Sequence, residues 1–355
     1  PIGKEPIFGI DFGTTYSSIG LVSGEGIRVL EGPDGNAMVP SVVCYPAAGK
    51  PVVGWQAREM VPLHRESTFL SPKRLLGRSW EDPRIQPYLA SSPVRTQAGP
   101  NNQVLASVQG HLLALPQVCA EIFRQLVHIG EGATGQPVRR AVLSTPVGYT
   151  PIERAAIERS AKLAGIEVVA VIEEPVAAAM AYGLGRANGE LIAIYDFGGG
   201  TFDCTLLEIK NQRFNLLGSG GDPWLGGDDF DLAMAEHAAN AFWREHDIDL
   251  RRRTVEWQRL VLLCERVKRK LTTEKRVELR ARAIVNTARG ALDLSVRFDR
   301  STFAELCGGL VERSVSEMDR CLSEAGVRPQ DLHHVVLTGG VSRIPLVRQH
   351  LQRYY

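Results

Sequence analysis

The sequence predicts an α/β protein of two related lobes, and three observations carry that expectation. Ile194-Tyr195-Asp196-Phe197-Gly198-Gly199-Gly200-Thr201-Phe202-Asp203 reads as a buried strand, a glycine turn and a second strand. Phe8-Gly9-Ile10-Asp11-Phe12-Gly13-Thr14-Thr15-Tyr16-Ser17 repeats that order near the start. Between them, residues 138–172 follow the strand–helix–strand pattern of a βαβ unit. Glycine lets another group approach the backbone closely, and consecutive N–H groups in such a turn form a concave anion site. A carboxylate beside an anion site implies a cation between them. Each turn therefore reads as a metal-bound phosphate site, with a plain hairpin as the alternative. Their repetition points to duplicated lobes closing on one ligand.

The bounds are those of an ordinary globular chain. Its 355 residues suit two domains or one large two-lobed one. Hydrophobic residues make up 44% and charged residues 23%, as in soluble proteins generally. A net charge of +1 gives no electrostatic case for nucleic acid or membrane as the main partner. The six cysteines are scattered without a C-x-x-C pair, which argues against zinc and a disulfide framework and suits a reducing cytosol. No apolar run reaches the length of a membrane span, and the start lacks a signal segment. Pro1 in place of methionine suggests a trimmed or processed start.

Taken in order, residues 7–30 read as a strand, the first hairpin and strands at 18–22 and 27–30, followed by a turn at Pro33-Asp34-Gly35-Asn36. Residues 40–109 are rich in proline and glycine and read as an inserted subdomain, within which Lys73 and Arg74 locally look like a solvated charge pair. A helix is expected over 116–127 and a strand over 138–145. Thr150-Pro151-Ile152-Glu153 then opens a helix with a threonine cap, a first-turn proline and a capping-box glutamate, to end at Gly165. A strand at 168–172 leads through Glu173-Glu174-Pro175 into an alanine-rich helix reaching Tyr182. Glu174 stands where α/β folds place site residues, or it merely complements the helix dipole.

Asn188-Gly189 marks a turn and a lobe boundary. After the second hairpin come a strand at 214–217, a glycine-rich turn over 218–227, a helix begun by Asp228-Asp229-Phe230-Asp231, and a solvated Arg251-Arg252-Arg253 loop. In the helix Thr254–Leu271, Leu260, Cys264, Val267 and Leu271 form a buried stripe. Glu265, Lys268 and Thr272 form a polar stripe beside it, suited to a ribose and a base or, locally, a plain surface Glu–Lys pair. Two alternating segments at 276–285 and 291–298 pair antiparallel, and a helix over 300–325 is capped by Gly326. A strand at 334–337 leads to Thr338-Gly339-Gly340-Val341-Ser342-Arg343, a third glycine turn opening a helix whose end could meet a phosphate or a base.

There is no G-x-x-x-x-G-K-[ST] loop and no G-x-G-x-x-G after a strand, and the set of motifs a protein kinase needs is not present in order. The order hairpin, insert, βαβ, hairpin, helical insert, strand–Gly-Gly–helix resembles the actin-like ATPase superfamily. Gly9-Ile10-Asp11-Phe12-Gly13-Thr14-Thr15, Glu174-Pro175-Val176-Ala177-Ala178-Ala179 and Asp196 to Asp203 look like the three signatures of the seventy-kilodalton heat-shock (DnaK-type) chaperones. Leu225-Gly226-Gly227-Asp228-Asp229-Phe230-Asp231, Cys264 to Arg269 and Leu337-Thr338-Gly339-Gly340 are similar as well, so the resemblance covers essentially the whole chain.

The resemblance implies two lobes of duplicated ribonuclease-H-like topology with a nucleotide cleft between them. Lobe I would be 1–187, with core 1–39 and 112–187 and insert 40–111; lobe II would be 188–355, with core 188–226 and 304–355 and insert 227–303. It implies ATP/ADP, Mg²⁺ and K⁺ as ligands. Asp11 and Asp196 would hold Mg²⁺ through its waters, with Asp203 on the metal side and helping to bind potassium. Gly13, Thr14, Thr15, Tyr16, Gly198, Gly199, Gly200 and Thr201 would cradle phosphates, flanked by Gly227, Asp228 and Gly339. Lys73 would offset charge at the γ-phosphate, with Thr201 among the catalytic groups and Glu174 and Asp203 orienting or deprotonating water. Glu265 and Lys268 would hold the ribose, with Thr272, Gly340 and Arg343 around the adenine. The implied activity is ATP hydrolysis as a conformational switch, with a J-domain co-chaperone and a nucleotide exchange factor as partners. A low-turnover docking scaffold and a small-molecule kinase are the alternatives. Val341 stands where the family has serine, Gly148 where it has an aromatic residue, and Pro146 is shared. The family's linker and peptide-binding domain lie beyond Tyr355, which suggests a trimmed chain or a short form.

Overall fold

The structure is a computed structural model that describes residues 5–24, 26–184 and 188–355. It divides into two compact units, Pro1–Ala177 and Ala178–Tyr355. Ala187, the expected edge of the first lobe, lies outside the described residues.

In the first unit, β1 (Ile7–Phe12), β2 (Tyr16–Ser23), β3 (Gly26–Val29) and β4 (Val39–Pro40) open the chain. The insert follows with β5 (Val42–Cys44), β6 (Val52–Val53), α1 (Trp55–His64), β7 (Thr68–Leu70), α2 (Gln86–Ser91), β8 (Arg95–Ala98), β9 (Val104–Val108) and β10 (His111–Ala114). Then come α3 (Leu115–Thr134), β11 (Arg140–Thr145), α4 (Pro151–Leu163), β12 (Glu167–Glu173) and α5 (Glu174–Ala181), within which the division between units falls. The main sheet runs β12-β11-β1-β2-β3, with β4 on β2, and the insert carries two small sheets, β6-β5-β7 and β10-β9-β8. Side chains alternate across a strand. Phe8, Ile10 and Phe12 are accordingly buried, while Ile7, Gly9 and Asp11 point the other way and are exposed. That alternation delivers the Asp11 carboxylate to the open face.

Helix α3 buries Val118, Cys119, Ile122, Phe123, Leu126 and Ile129 against this sheet, with the Phe123 ring 4.9 Å from that of Phe12. It runs seven residues past the expected end at 127. Gly130, inside this extension, lies so close to the sheet that a Cβ there would meet the Val138 side chain at 2.6 Å; packing outweighs the cost of a helical glycine of about 1 kcal/mol. Helix α4 starts as its capping box dictates: Thr150 N–H donates to Glu153 Oε2 at 2.8 Å, and Glu153 N–H donates back to Thr150 Oγ1 at 3.3 Å. Gly165 follows its end in the left-handed region, with φ 86°.

The second unit contains β13 (Leu191–Phe197), β14 (Phe202–Lys210), β15 (Arg213–Asp222), α6 (Gly227–His246), α7 (Thr254–Leu271), β16 (Arg276–Thr287), β17 (Gly290–Asp299), α8 (Arg300–Glu324), β18 (His334–Thr338) and α9 (Pro345–Tyr354). Its main sheet is β15-β14-β13-β18, with β16 and β17 forming an antiparallel pair apart from it. The two main sheets share a plan. In each, a hairpin is extended by a third antiparallel strand on one side and a parallel strand on the other: β1, β2, β3 with β11, and β13, β14, β15 with β18. Tyr195, Phe197, Phe202 and Phe230 form the aromatic centre of the second core.

Two local expectations are corrected here. Residues 218–222, expected as a glycine turn, belong to strand β15, and the turn is confined to 223–226. A Cβ at Gly218 or Gly220 would make ordinary contact with Ala325 or Cys321, where α8 lies across the strand, whereas at Gly221, with φ 150°, it would stand 2.2 Å from Phe202 O, so close pairing with β14 requires the glycine there. The arginine run is solvated only in part: Arg252 and Arg253 are exposed, but Arg251 bonds Asp249, Glu236 and Asn240 at 2.7–2.8 Å, tying the turn to α6.

Candidate functional site

The first hairpin holds Phe12 opposite Ser17, leaving Gly13, Thr14 and Thr15 as the loop and Tyr16 at the head of β2. Asp11 accepts a hydrogen bond on Oδ1 from Ser144 Oγ at 2.8 Å, which fixes one carboxylate oxygen. The loop is braced by the residue that opens the insert: Ser41 Oγ donates to Gly13 O and Ser41 N–H to Thr15 O, both at 2.8 Å. Thr15 is buried, and its Oγ1 has no hydrogen-bond partner among the described residues. Tyr16 packs on Trp55, ring centroids 5.8 Å apart.

Lys73 sits in the 3-10 turn Pro72–Leu75, entered through Ser71 in the left-handed region at φ 53°. Local sequence suggests a solvated charge pair; instead Lys73 is 3% exposed. Its Nζ donates to Glu174 Oε1 at 3.0 Å and lies over the rings of Phe12 at 5.7 Å and Tyr149 at 5.8 Å. Burial alone would lower its pKa. The Glu174 carboxylate, with smaller effects of Tyr149 and Asp11, outweighs burial and leaves the ammonium well above its usual value. Glu174 is the first residue of α5, where its carboxylate complements the helix dipole while accepting from Lys73. Tyr149 is a neighbour that sequence reasoning missed. The signal was there: the aromatic group absent at Gly148 stands one residue later.

The second hairpin pairs Asp196 with Asp203 and Phe197 with Phe202, leaving Gly198, Gly199, Gly200 and Thr201 as the loop. Gly198 N–H donates to Thr201 O at 2.9 Å. Gly227 N–H and Asp228 N–H, at the start of α6, donate to Gly198 O and Gly199 O at 3.1 and 2.7 Å. The approach is so close that a Cβ at Gly226 would stand 2.5 Å from Gly200 Cα. Gly339, at φ 80°, lies against the hairpin, where a Cβ would come within 2.6 Å of Asp196 Oδ1. Two carboxylates opposite each other in register repel, and a hard cation with oxygen ligands relieves that repulsion. The carboxylates of the second hairpin therefore fit a cation, and in the first unit the unpartnered Thr15 hydroxyl fits an anionic oxygen ligand.

On α7, Glu265 and Lys268 are buried rather than a surface pair. Lys268 Nζ donates to Asp231 Oδ2 at 2.7 Å and Gly227 O at 2.6 Å, whereas Glu265 lies 4.0 Å from Arg269. Asp231 was read only as one of several acids at a helix start. Its place beside Phe230 and one turn before Met234 and Ala235, on the buried side of α6, is the signal that separates it from exposed Asp228. Burial pushes the Asp231 carboxyl up to about 7, against the pull of Lys268. Thr272 turns its hydroxyl back to Arg269 O at 2.6 Å. Gly340 and Arg343 are exposed around the 3-10 turn Val341–Arg343, and Val341 is buried. The first unit thus gathers Asp11, the 13–15 loop, Lys73 and Glu174. The second gathers Asp196, the 198–201 loop, Asp203, Gly227, Asp228, Gly339 and Lys268. Among the described residues, no hydrogen bond joins Thr272 or Arg343 to either group.

Paired sheets of one plan, each carrying an acidic glycine hairpin, define the actin-like ATPase fold, and the protein is of that class. The family model of the Hsp70 protein matches residues 7–355. The chain belongs to the Hsp70 family, and with membership comes the general role of a chaperone ATPase domain that binds ATP and ADP. No helix among the described residues is long and apolar enough to cross a membrane.

Proposed function

We propose that this chain is the nucleotide-binding domain of a DnaK-type chaperone, hydrolysing ATP to ADP and phosphate with water as nucleophile and switching conformation as it does so. The observation that carries this reading is the pairing of buried Lys73 with half-buried Glu174 beside Asp11. A lysine held charged in a dry setting offsets negative charge that grows on a transferring phosphoryl group. Glu174, held by Lys73, orients or deprotonates water, and Asp203 shares that task. The loops at 13–15 and 198–201 hold the phosphates, with Thr15 Oγ1 and backbone N–H groups as donors.

Asp11, Asp196 and Asp203 would hold Mg²⁺, and Asp203 would also serve K⁺. A divalent ion held there would supply positive charge to offset that of the phosphates. Glu265 and Lys268 hold the ribose, and Thr272, Gly340 and Arg343 border the adenine, where Val341 supplies no hydroxyl. The fitting partners are a J-domain co-chaperone and a nucleotide exchange factor in a protein-folding and stress-response role. Six buried free thiols fit a reducing compartment such as the cytosol. Single-turnover hydrolysis of radiolabelled ATP by wild type and Lys73→Ala tests the reading. The variant is expected to be slower by about 100- to 1000-fold, and equal rates would overturn the role of Lys73.

A further inference from the structure

We propose that Asp231 is a positioning residue of the nucleotide site, holding the Lys268 ammonium in the one orientation from which it grips the ribose. This rests on the reading of Lys268 as a ribose ligand given above. An ammonium carries three N–H donors and no acceptor. Two of them are committed, to Gly227 O at 2.6 Å and to Asp231 Oδ2 at 2.7 Å. Tetrahedral geometry then fixes the direction of the third. Both acceptors come from one turn of α6, four residues apart, so they move as a unit. Gly227 makes room for the contact, since a Cβ there would stand 2.9 Å from Nζ.

Asp231 is a poor structural tie. It is 2% exposed, and its Oδ1 is buried with no hydrogen-bond partner among the described residues. Desolvation of a buried ion pair commonly cancels its Coulombic gain. Glu265 and Asp228 add repulsion to the Asp231 carboxylate, and Lys268 is the cation that offsets it. What the arrangement does provide is a compensated, aimed donor.

Isothermal calorimetry with ATP and with inorganic tripolyphosphate, on wild type, Asp231→Asn, Lys268→Ala and the double variant, separates the possibilities. Each single variant is expected to weaken ATP by about 10-fold, the scale of one charge-assisted hydrogen bond. Tripolyphosphate binding should hold within about 2-fold, and the double variant should be no weaker than Lys268→Ala, the mark of two residues acting as one. Unchanged ATP affinity in Lys268→Ala would sink the ribose reading and the proposal with it. A weakened Lys268→Ala beside an unchanged Asp231→Asn would leave the ribose reading standing and overturn the positioning role. Equal losses for ATP and tripolyphosphate in Asp231→Asn would also overturn it, as a merely structural effect. Where Asp231→Asn does not fold, Asp231→Glu, which keeps the charge and displaces it by one methylene, is read against the same outcomes.

Discussion

Each unit buries one lysine against one carboxylate, and the two pairs are built in opposite senses. In Lys73–Glu174 the carboxylate side chain is 26% exposed and the lysine 2%, so the pair opens on its acidic side. The neighbouring charges secure the cation, and two aromatic rings flank it. In Lys268–Asp231 the acid is the more deeply buried partner, at 3% against 10%, and the acid is the strained one. The first pair presents a permanent positive charge beside a usable base. The second presents a directed donor whose counter-charge titrates near neutrality. On the proposed reading, similar chemistry serves rate in one unit and affinity in the other.

The comparison breaks most visibly in kinetics. Lys73→Ala should slow single-turnover hydrolysis by about 100- to 1000-fold with nucleotide affinity nearly intact, whereas Lys268→Ala should weaken affinity and leave the rate at saturating ATP nearly unchanged. A shared phenotype would erase the distinction. Next in size, Glu174→Gln keeps a hydrogen-bonding partner for Lys73 but loses the base, and quenched-flow measurements should show a loss of about 100-fold. Gly226→Ala tests the bracing of the second loop. Its methyl group meets Gly200 backbone, which cannot swing aside as a side chain can, and urea unfolding should register about 1–3 kcal/mol.

A smaller effect separates the pairs by pH. Asp231 has a folded pKa near 7 against an ordinary 3.8. Between those values the unfolded carboxyl ionises while the folded one keeps its proton, so its contribution to stability falls as pH rises from about 4 to about 7. Lys73 behaves oppositely: its raised pKa gives stability that is complete below its ordinary 10.5 and is lost only as pH rises through the folded value. Urea titrations of wild type and Asp231→Asn should diverge through the acid window and run parallel above it; parallel curves throughout would refute the Asp231 assignment.

Much of this was legible in the chain itself. Both hairpin loops, the Thr150 capping box and the helix Thr254–Leu271 follow from rules that act over a few residues. Glycine misled across 218–221, because the letter signals both freedom to turn and room for a neighbour. Only the fold decides between them: at Gly221 the neighbouring strand brings Phe202 O within 2.2 Å of where a Cβ would stand, as at Gly130 the packing of α3 leaves no room for one. The lysine pairs were hidden for another reason. Lys73 and Glu174 are 101 residues apart and Lys268 and Asp231 are 37 apart, so a local reading sees four surface charges where the fold makes two buried contacts. The resemblance placed Lys73 and Lys268, but only the geometry exposed Asp231 and Tyr149.

The unsatisfied Thr15 hydroxyl makes the first hairpin a gauge of occupancy. A buried hydroxyl with no partner costs about 1–3 kcal/mol, and a ligand oxygen that bonds it relieves that cost. Binding strength and resistance to heat then share one contribution, visible as a rise in melting temperature on saturation. Thr15→Val removes the hydroxyl while keeping its shape. The variant should melt no lower than wild type without nucleotide and should gain less from saturating ATP in a thermal-shift series. Equal gains would mean that the hydroxyl takes no part in holding phosphate. A smaller gain in the variant would mean that the bare domain is less stable than its own isostere for the sake of the ligand it has yet to meet.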